Sequence, residues 1–100
     1  MTRFRLSAKA DADLRSIAAY TEKQWGRRQR DIYIRELFEV FASLADTPEI
    51  AQRIDEIRQG YRKFPQGAHV IFFRESDSLG MEIIRILHNR MDADLHLDSP

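Results

Sequence analysis

Apolar positions fall into two stretches of helical spacing followed by three strand-like runs. Between residues 8 and 25, Ala10, Leu14, Ile17, Ala18 and Trp25 recur with Thr21 at steps of three, four and seven. At about 100° per residue they share an arc of roughly 100°, the stripe of a helix lying on a core. Asp11, Asp13, Arg15, Glu22 and Lys23 fall on the wet side. Residues 3–6 alternate Arg with Phe4 and Leu6, which predicts a short strand, and Ser7 is suited to cap the helix that follows. Gly26 predicts the stop of that helix. Residues 27–45 restart the helical period and Pro48 ends it, so the two helices form an antiparallel hairpin.

The second helix is apolar over too wide an angle for one contact. Tyr33, Ile34, Leu37, Phe38, Val40, Phe41, Ala42, Leu44 and Ala45 spread over roughly 200°, twice what a helix on one surface needs. Either the helix lies between the first helix and a sheet, or part of its face receives a partner; Tyr33 and Val40, at one edge of the arc, are the candidate partner contacts.

Residues 49–58 carry Ile50, Ile54 and Ile57 at helical spacing but are confined between Pro48 and Gly60, and read as an irregular connection. Strands are predicted at residues 61–64, 68–75 and 81–88, with Pro65-Gln66-Gly67 as a type I turn and residues 76–80 as a loop, giving a three-strand meander. Val70-Ile71-Phe72-Phe73 and Ile83-Ile84 with Ile86-Leu87 are near-continuous, as in strands covered on both faces. The fold class is therefore α+β, in the order β-α-α-β-β-β, with the N-terminal helical hairpin packed on a small antiparallel sheet. Residues 1–92 form one domain and residues 93–100 a tail.

At 100 residues, 43% hydrophobic and 32% charged, the chain has enough surface to bury for one core and little room for a deep internal pocket. The absence of Cys excludes disulfides and a thiolate zinc site. Residues 1–6 lack the apolar run of a signal or a membrane span, which leads to the expectation of a cytoplasmic protein with no membrane partner. Sixteen cations balance sixteen anions, so sequence-independent binding to duplex DNA is not expected. All the cations but Lys9, Lys23 and Lys63 are Arg, the better fork for carboxylates and phosphates.

Candidate chemistry gathers late, in Arg58, Arg62, Lys63, Arg74, Arg85, His88 and Arg90. Arg74 and Arg85 interrupt apolar runs and must reach an edge or an acid, because a dry unpaired guanidinium costs several kcal/mol, roughly. Whether Arg62, Arg74 and Arg85 converge depends on strand register. A ribonuclease could use His88 as base and Arg85 as the clamp on the transition-state charge, but no residue spacing supplies a matching acid. His69 has no assigned role and His96 stands alone in the tail. There is no Gly-rich phosphate loop, no nucleophile elbow and no His-carboxylate set at metal spacing, so no cofactor or metal is expected.

The order of these pieces resembles the ParE toxins of the RelE/ParE superfamily. The resemblance rests on Phe4-Arg5-Leu6-Ser7 with Ala10, Asp13 and Leu14; on Tyr20 and Gln24-Trp25-Gly26; on Pro48; and on Asp55-Glu56-Ile57-Arg58 with Gly60 and Arg62. It continues through Phe64-Pro65, His69-Val70-Ile71-Phe72-Phe73-Arg74 and Ile83-Ile84-Arg85-Ile86-Leu87-His88-Asn89-Arg90-Met91-Asp92. Ala51 and Arg53 stand where the family usually has Gly and Pro, Gln59 where it has Pro, and Phe73 where Tyr is frequent.

The resemblance implies the toxin of a bacterial type II toxin-antitoxin pair, held in a hetero-oligomer by a ParD-like antitoxin and poisoning DNA gyrase by binding. It has no catalytic residues on that reading. Its target-facing residues are then Arg58, Arg62, Arg74, Arg85, His88 and Arg90, with the segment from Asn89 to Leu97, and its antitoxin-facing residues Tyr33 and Val40. The superfamily's nuclease branch, similar to RelE, would instead cut messenger RNA on the ribosome with Arg62, Arg85 and His88, but no Tyr follows Tyr61 to complete such a site. A module that binds antitoxin and poisons nothing is the third possibility.

Overall fold

A computed structural model of the chain describes residues 4–76, 80–91 and 93–97. Strand β1 (Phe4–Leu6) leads into helix α1 (Ala8–Trp25), which turns at Gly26 into α2 (Arg27–Asp46). A 3-10 turn at Pro48–Ile50 precedes β2 (Gln52–Arg53), β3 (Tyr61–Gln66), β4 (His69–Ser76), β5 (Gly80–His88) and a short helix α3 (Ala93–His96). The sheet has five strands in the order β1-β5-β4-β3-β2. Its meander is antiparallel as expected, and β1 joins the far edge parallel to β5, with Arg5 opposite Glu82. Arg3, counted in the first strand by its pattern, and residues 77–79 of the β4–β5 loop lie outside the described residues.

Local signals account for most element ends. The Ser7 hydroxyl accepts the Ala10 N–H at 3.0 Å and donates to the Ile84 carbonyl at 2.7 Å, so one side chain caps α1 and ties it to β5. Gly26 adopts φ +92, and its N–H closes α1 on the Glu22 carbonyl at 2.8 Å. The β3–β4 turn is tighter than Pro65-Gln66-Gly67. Gln66 pairs with His69, leaving Gly67 and Ala68 as the loop, and Pro65 lies within β3 beyond the reach of two-residue β2, where its missing N–H costs no ladder bond.

Two cores lie on opposite faces of the sheet. Beneath the helices, Ala10, Leu14, Ile17, Leu37, Phe41 and Leu44 pack on Ile71, Phe73, Met81, Ile83 and Ile86. Most of the wide arc of α2 is covered within the chain, Phe38 remaining 38% exposed. Phe4 of β1 meets Phe38 and Phe41 on one flank, while Tyr33 meets the β3–β4 turn on the other.

On the opposite face, Tyr61, Phe72, Ile84 and Leu87 are covered by Ile54 from the irregular connection and by Leu97. Leu97 is 1% exposed, and its carbonyl accepts from Arg58 Nε at 2.7 Å. The segment read from sequence as a tail beyond residue 92 is therefore docked as far as Leu97; Asp92 and residues 98–100 lie outside the described residues.

Three side chains depart from the periodic reading of α1 and β5. Trp25 lies on the core-facing arc but is 71% exposed, lining an opening rather than the core. Asp13, assigned to the wet side, faces Arg85 with only 15% of its side chain exposed. Arg85 sits at a bulge: Phe72 pairs with Arg85 and Phe73 with Ile83, so the ladder skips Ile84. Such an extra residue re-aims its neighbours, here placing Ile83 and Ile86 on the helix side, Ile84 and Leu87 on the other, and Arg85 toward α1.

Candidate functional site

The i, i+4 row Asp13, Ile17, Thr21 and Trp25 runs the length of α1 and forms one wall of an open groove of ≈ 820 Å³. Gln29 and Tyr33 of α2 form the facing wall, and Ala68, His69 and the end of β5 from Ile86 to His88 form the floor. Tyr20, Trp25 and Met91 stand on the rim, 64%, 71% and 51% exposed. A cluster of large apolar side chains left to water at one opening marks a binding surface.

Tyr33 shapes the groove by holding its floor. Its hydroxyl donates to the Gln66 carbonyl at 3.0 Å and lies 2.7 Å from His69 Nδ1. Gly67 is demanded twice at this contact, by φ +60 and because a Cβ there would come within 2.8 Å of the Tyr33 hydroxyl. Burial raises the pKa of Tyr33 above its ordinary value and keeps the phenol protonated.

His69 and His88 are direct partners across β4 and β5, with ring centroids 5.7 Å apart and edge-to-face. Desolvation, followed by the neighbouring His88, lowers the pKa of His69, and Asp13 opposes this weakly. Which of the Tyr33 hydroxyl and His69 Nδ1 donates in their contact is set by the His69 tautomer. His88 Nδ1 accepts the Arg90 N–H at 3.2 Å.

The guanidinium of Arg85, on the strand whose end forms this floor, is already engaged. Arg85 Nε and Nη2 donate to the two Asp13 oxygens at 2.8 and 2.9 Å, Asp13 also accepts the Ile86 N–H at 2.9 Å, and Arg85 Nη1 donates to the His96 carbonyl at 3.2 Å. Strand β1 ends at Leu6, so the Asp13 carboxylate takes over the edge of β5 where the ladder stops.

The other arginines singled out from sequence are dispersed. Arg58 holds Leu97; Arg62 donates to the Ala51 carbonyl at 3.1 Å and faces Glu75 at 3.7 Å; Arg74 pairs with Glu82 at 2.9 Å, which Arg5 also meets at 3.3 Å. Lys63 lies opposite Phe72 and Gln52 on β3. Register thus brings His88 to the groove, with exposed Arg90 just beyond it, and leaves Arg58, Arg62 and Arg74 elsewhere. Tyr33 reaches the groove, whereas Val40 is half-buried against the helix-side core.

Sequence reasoning quoted Tyr20, Trp25 and Met91 as residues of the family resemblance, with Trp25 also on the apolar arc of the first helix and Met91 inside the target-facing segment from Asn89 to Leu97, and did not bring the three together as one rim; nor did it pair Asp13 with Arg85 or His69 with Tyr33. Among the described residues, no group of three or more His, Asp or Glu is placed to hold a metal ion, and no helix is long and apolar enough to cross a membrane.

Residues 4–93 match the profile of the family described as the ParE toxin of the type II toxin-antitoxin system parDE. The chain is 41% identical over 97 residues to Toxin ParE1 of Caulobacter vibrioides, a match covering 97% of this chain and 99% of that one. It is 40% identical to Toxin ParE1 of Mycobacterium tuberculosis, covering 96% and 98%, and 34% identical to Toxin ParE of Escherichia coli, covering 92% and 89%. The fold is similar to a solved structure titled as the chromosomal ParDE TA system from P. aeruginosa, with a TM-score of 0.71 at 19% identity over 88% of this chain and 96% of that one.

Proposed function

The chain belongs to the ParE toxins of type II toxin-antitoxin systems, and from that premise we propose that it is a cytoplasmic poison of DNA gyrase that acts by binding. A ParD-like antitoxin neutralises it in a hetero-oligomer by occupying the groove between α1, α2 and the end of β5. The target comes from the resemblance to gyrase-directed ParE toxins. The placement of the antitoxin is carried by one observation, the open groove whose rim leaves Tyr20, Trp25 and Met91 to water. A disordered antitoxin segment that folds on contact gains its affinity by covering such side chains.

The engagement of the arginines supports binding over bond chemistry. Arg85, the clamp a nuclease would need, is spent on Asp13, and Arg62 stands away from His88 on β3. The gyrase-facing surface then centres on His88 and Arg90 at the end of β5, with Arg58, Arg62 and Arg85 holding the sheet and the C-terminal segment in shape and Arg74 paired to Glu82 toward the other end of β4. The alternative of a ribosome-dependent nuclease starts from the juxtaposed His69 and His88, which are placed as an acid-base pair would be.

Purified toxin and cognate antitoxin test the groove directly. Tyr20→Arg and Trp25→Ala, each confirmed folded, are expected to weaken antitoxin binding about ten-fold or more, as exposed aromatic anchors do. Val40→Glu, away from the groove, is expected to bind as the wild type does if it folds. Full affinity in both rim variants would place the antitoxin elsewhere.

A further inference from the structure

Five cations and two carboxylates lie between Glu22 and Arg35, around the Gly26 elbow where α1 gives way to α2. In a chain with equal numbers of the two signs, this is a segregated patch. One residue takes both carboxylates: Arg30 donates from Nε and Nη2 to Asp31 at 2.9 and 2.8 Å and from Nη1 to Glu22. Arg27, Arg28 and Arg35 form no ion pair among the described residues, are exposed, and border one shallow depression.

Arg28 and Arg35 stand seven residues apart, about 10.5 Å along the axis and close to the same face of α2. Arg27 and Arg28 do not serve the helix they begin, since gathered like charges repel and cations in the first turn oppose its dipole. Trp25, on the groove rim, is separated from Arg27 by Gly26 alone, and Gln29 of the groove wall follows Arg28, so the elbow is the groove's immediate neighbour along the chain.

We infer that the elbow is a charged extension of the groove and receives an acidic run of the antitoxin, whose carboxylates pair with Arg27, Arg28 and Arg35 where that chain passes Trp25. The inference rests on the groove being the antitoxin's seat. Carboxylates seven residues apart on a helix match the spacing of Arg28 and Arg35, and the guanidinium fork takes them two oxygens at a time. Duplex nucleic acid fits less well, because Asp31 lies inside the patch and the chain as a whole has no net charge to draw on.

The test is the affinity of the full chain for its cognate antitoxin at about 50 mM and about 300 mM salt, where exposed pairs are screened to different extents. Arg28→Glu with Arg35→Glu is expected to weaken binding about ten-fold or more at the lower salt and to flatten the salt dependence, while Arg28→Lys with Arg35→Lys keeps most of it. Thermal melting of each variant alongside wild type confirms that it is folded, so weaker binding cannot be ascribed to unfolding. Tyr20→Arg separates the two readings. If it weakens binding while the Glu pair leaves affinity and salt slope unchanged, the inference fails and the groove stands; if Tyr20→Arg also binds normally, both fail. A Glu pair that binds antitoxin normally but loses retention on duplex DNA would overturn the inference in favour of a nucleic-acid contact.

Discussion

Asp13 shows how much one carboxylate can hold. It accepts both forks of Arg85 and the Ile86 N–H at the point where β1 stops pairing with β5, and only 15% and 18% of the two side chains remain exposed. Asp13→Asn, which leaves Arg85 without its counter-charge, is expected to cost about 2–4 kcal/mol in urea unfolding, somewhat below a fully dry pair because water still reaches both groups. Replacing both partners with apolar residues, Asp13→Leu with Arg85→Met, should recover much of that loss, which distinguishes an uncompensated charge from lost packing. His69 supplies a pH dependence whose sign is set by its environment. Burial and His88 hold its pKa below the usual histidine value, so the unfolded chain binds the extra proton first. Its contribution to stability is complete above about pH 7 and is lost as the pH falls through about 6.5 toward the folded value. His69→Gln should flatten the stability profile over that interval, as followed by thermal melting in buffers of stepped pH; an unchanged slope would remove His69 as its source.

At the scale of elements, the C-terminal segment is a lid on the second core. Leu97 lies against the cluster of Ile54, Phe72, Ile84 and Leu87, and Arg58 and Arg85 hold the carbonyls of Leu97 and His96. Leu97→Ala is expected to destabilise the fold by about 2 kcal/mol, at the low end for a buried leucine because a chain end can relax. Deleting residues after Met91 should cost more. Growth arrest lost in that deletion would then report unfolding, whereas a folded and fully toxic deletion would show the lid to be dispensable. These elements also show what the sequence made legible. Periodicity gave both helices, the Gly26 elbow and the three-strand meander, because each rests on local spacing. It could not show that β1 pairs parallel to β5 or that Leu97 docks, because those contacts join residues far apart in the chain, nor that Gln52 and Arg53 add an edge strand, because two polar residues in a connection carry no strand alternation. Arg74 and Arg85 were correctly expected to find an acid or an edge, but the bulge at Ile84 that turns Arg85 toward Asp13 has no signature in an unbroken apolar run.

For the whole molecule, the 37 × 33 × 22 Å body carries two apolar layers on a five-strand sheet, a groove flanked by exposed aromatics and a cationic elbow beside it. The candidate site was legible only in part. His88, Arg90 and Tyr33 were named from sequence and lie at or beside the groove, but its α1 rim was hidden because helical spacing alone does not show that Tyr20 and Trp25 stay exposed at one opening. Arg58, Arg62, Arg74 and Arg85 are each held in a separate structural contact rather than gathered beside His88, which supports the proposed reading of a poison that occupies its target. A toxin of that kind acts in proportion to the amount bound, whereas a nuclease turns over. The most direct measurement is therefore a titration of the purified chain into gyrase with supercoiled DNA, alongside translating ribosomes with messenger RNA. Broken DNA held by gyrase should accumulate until toxin matches enzyme, antitoxin should suppress it, and transcripts should stay whole; transcripts cut catalytically on ribosomes, with DNA topology unaltered, would contradict the account.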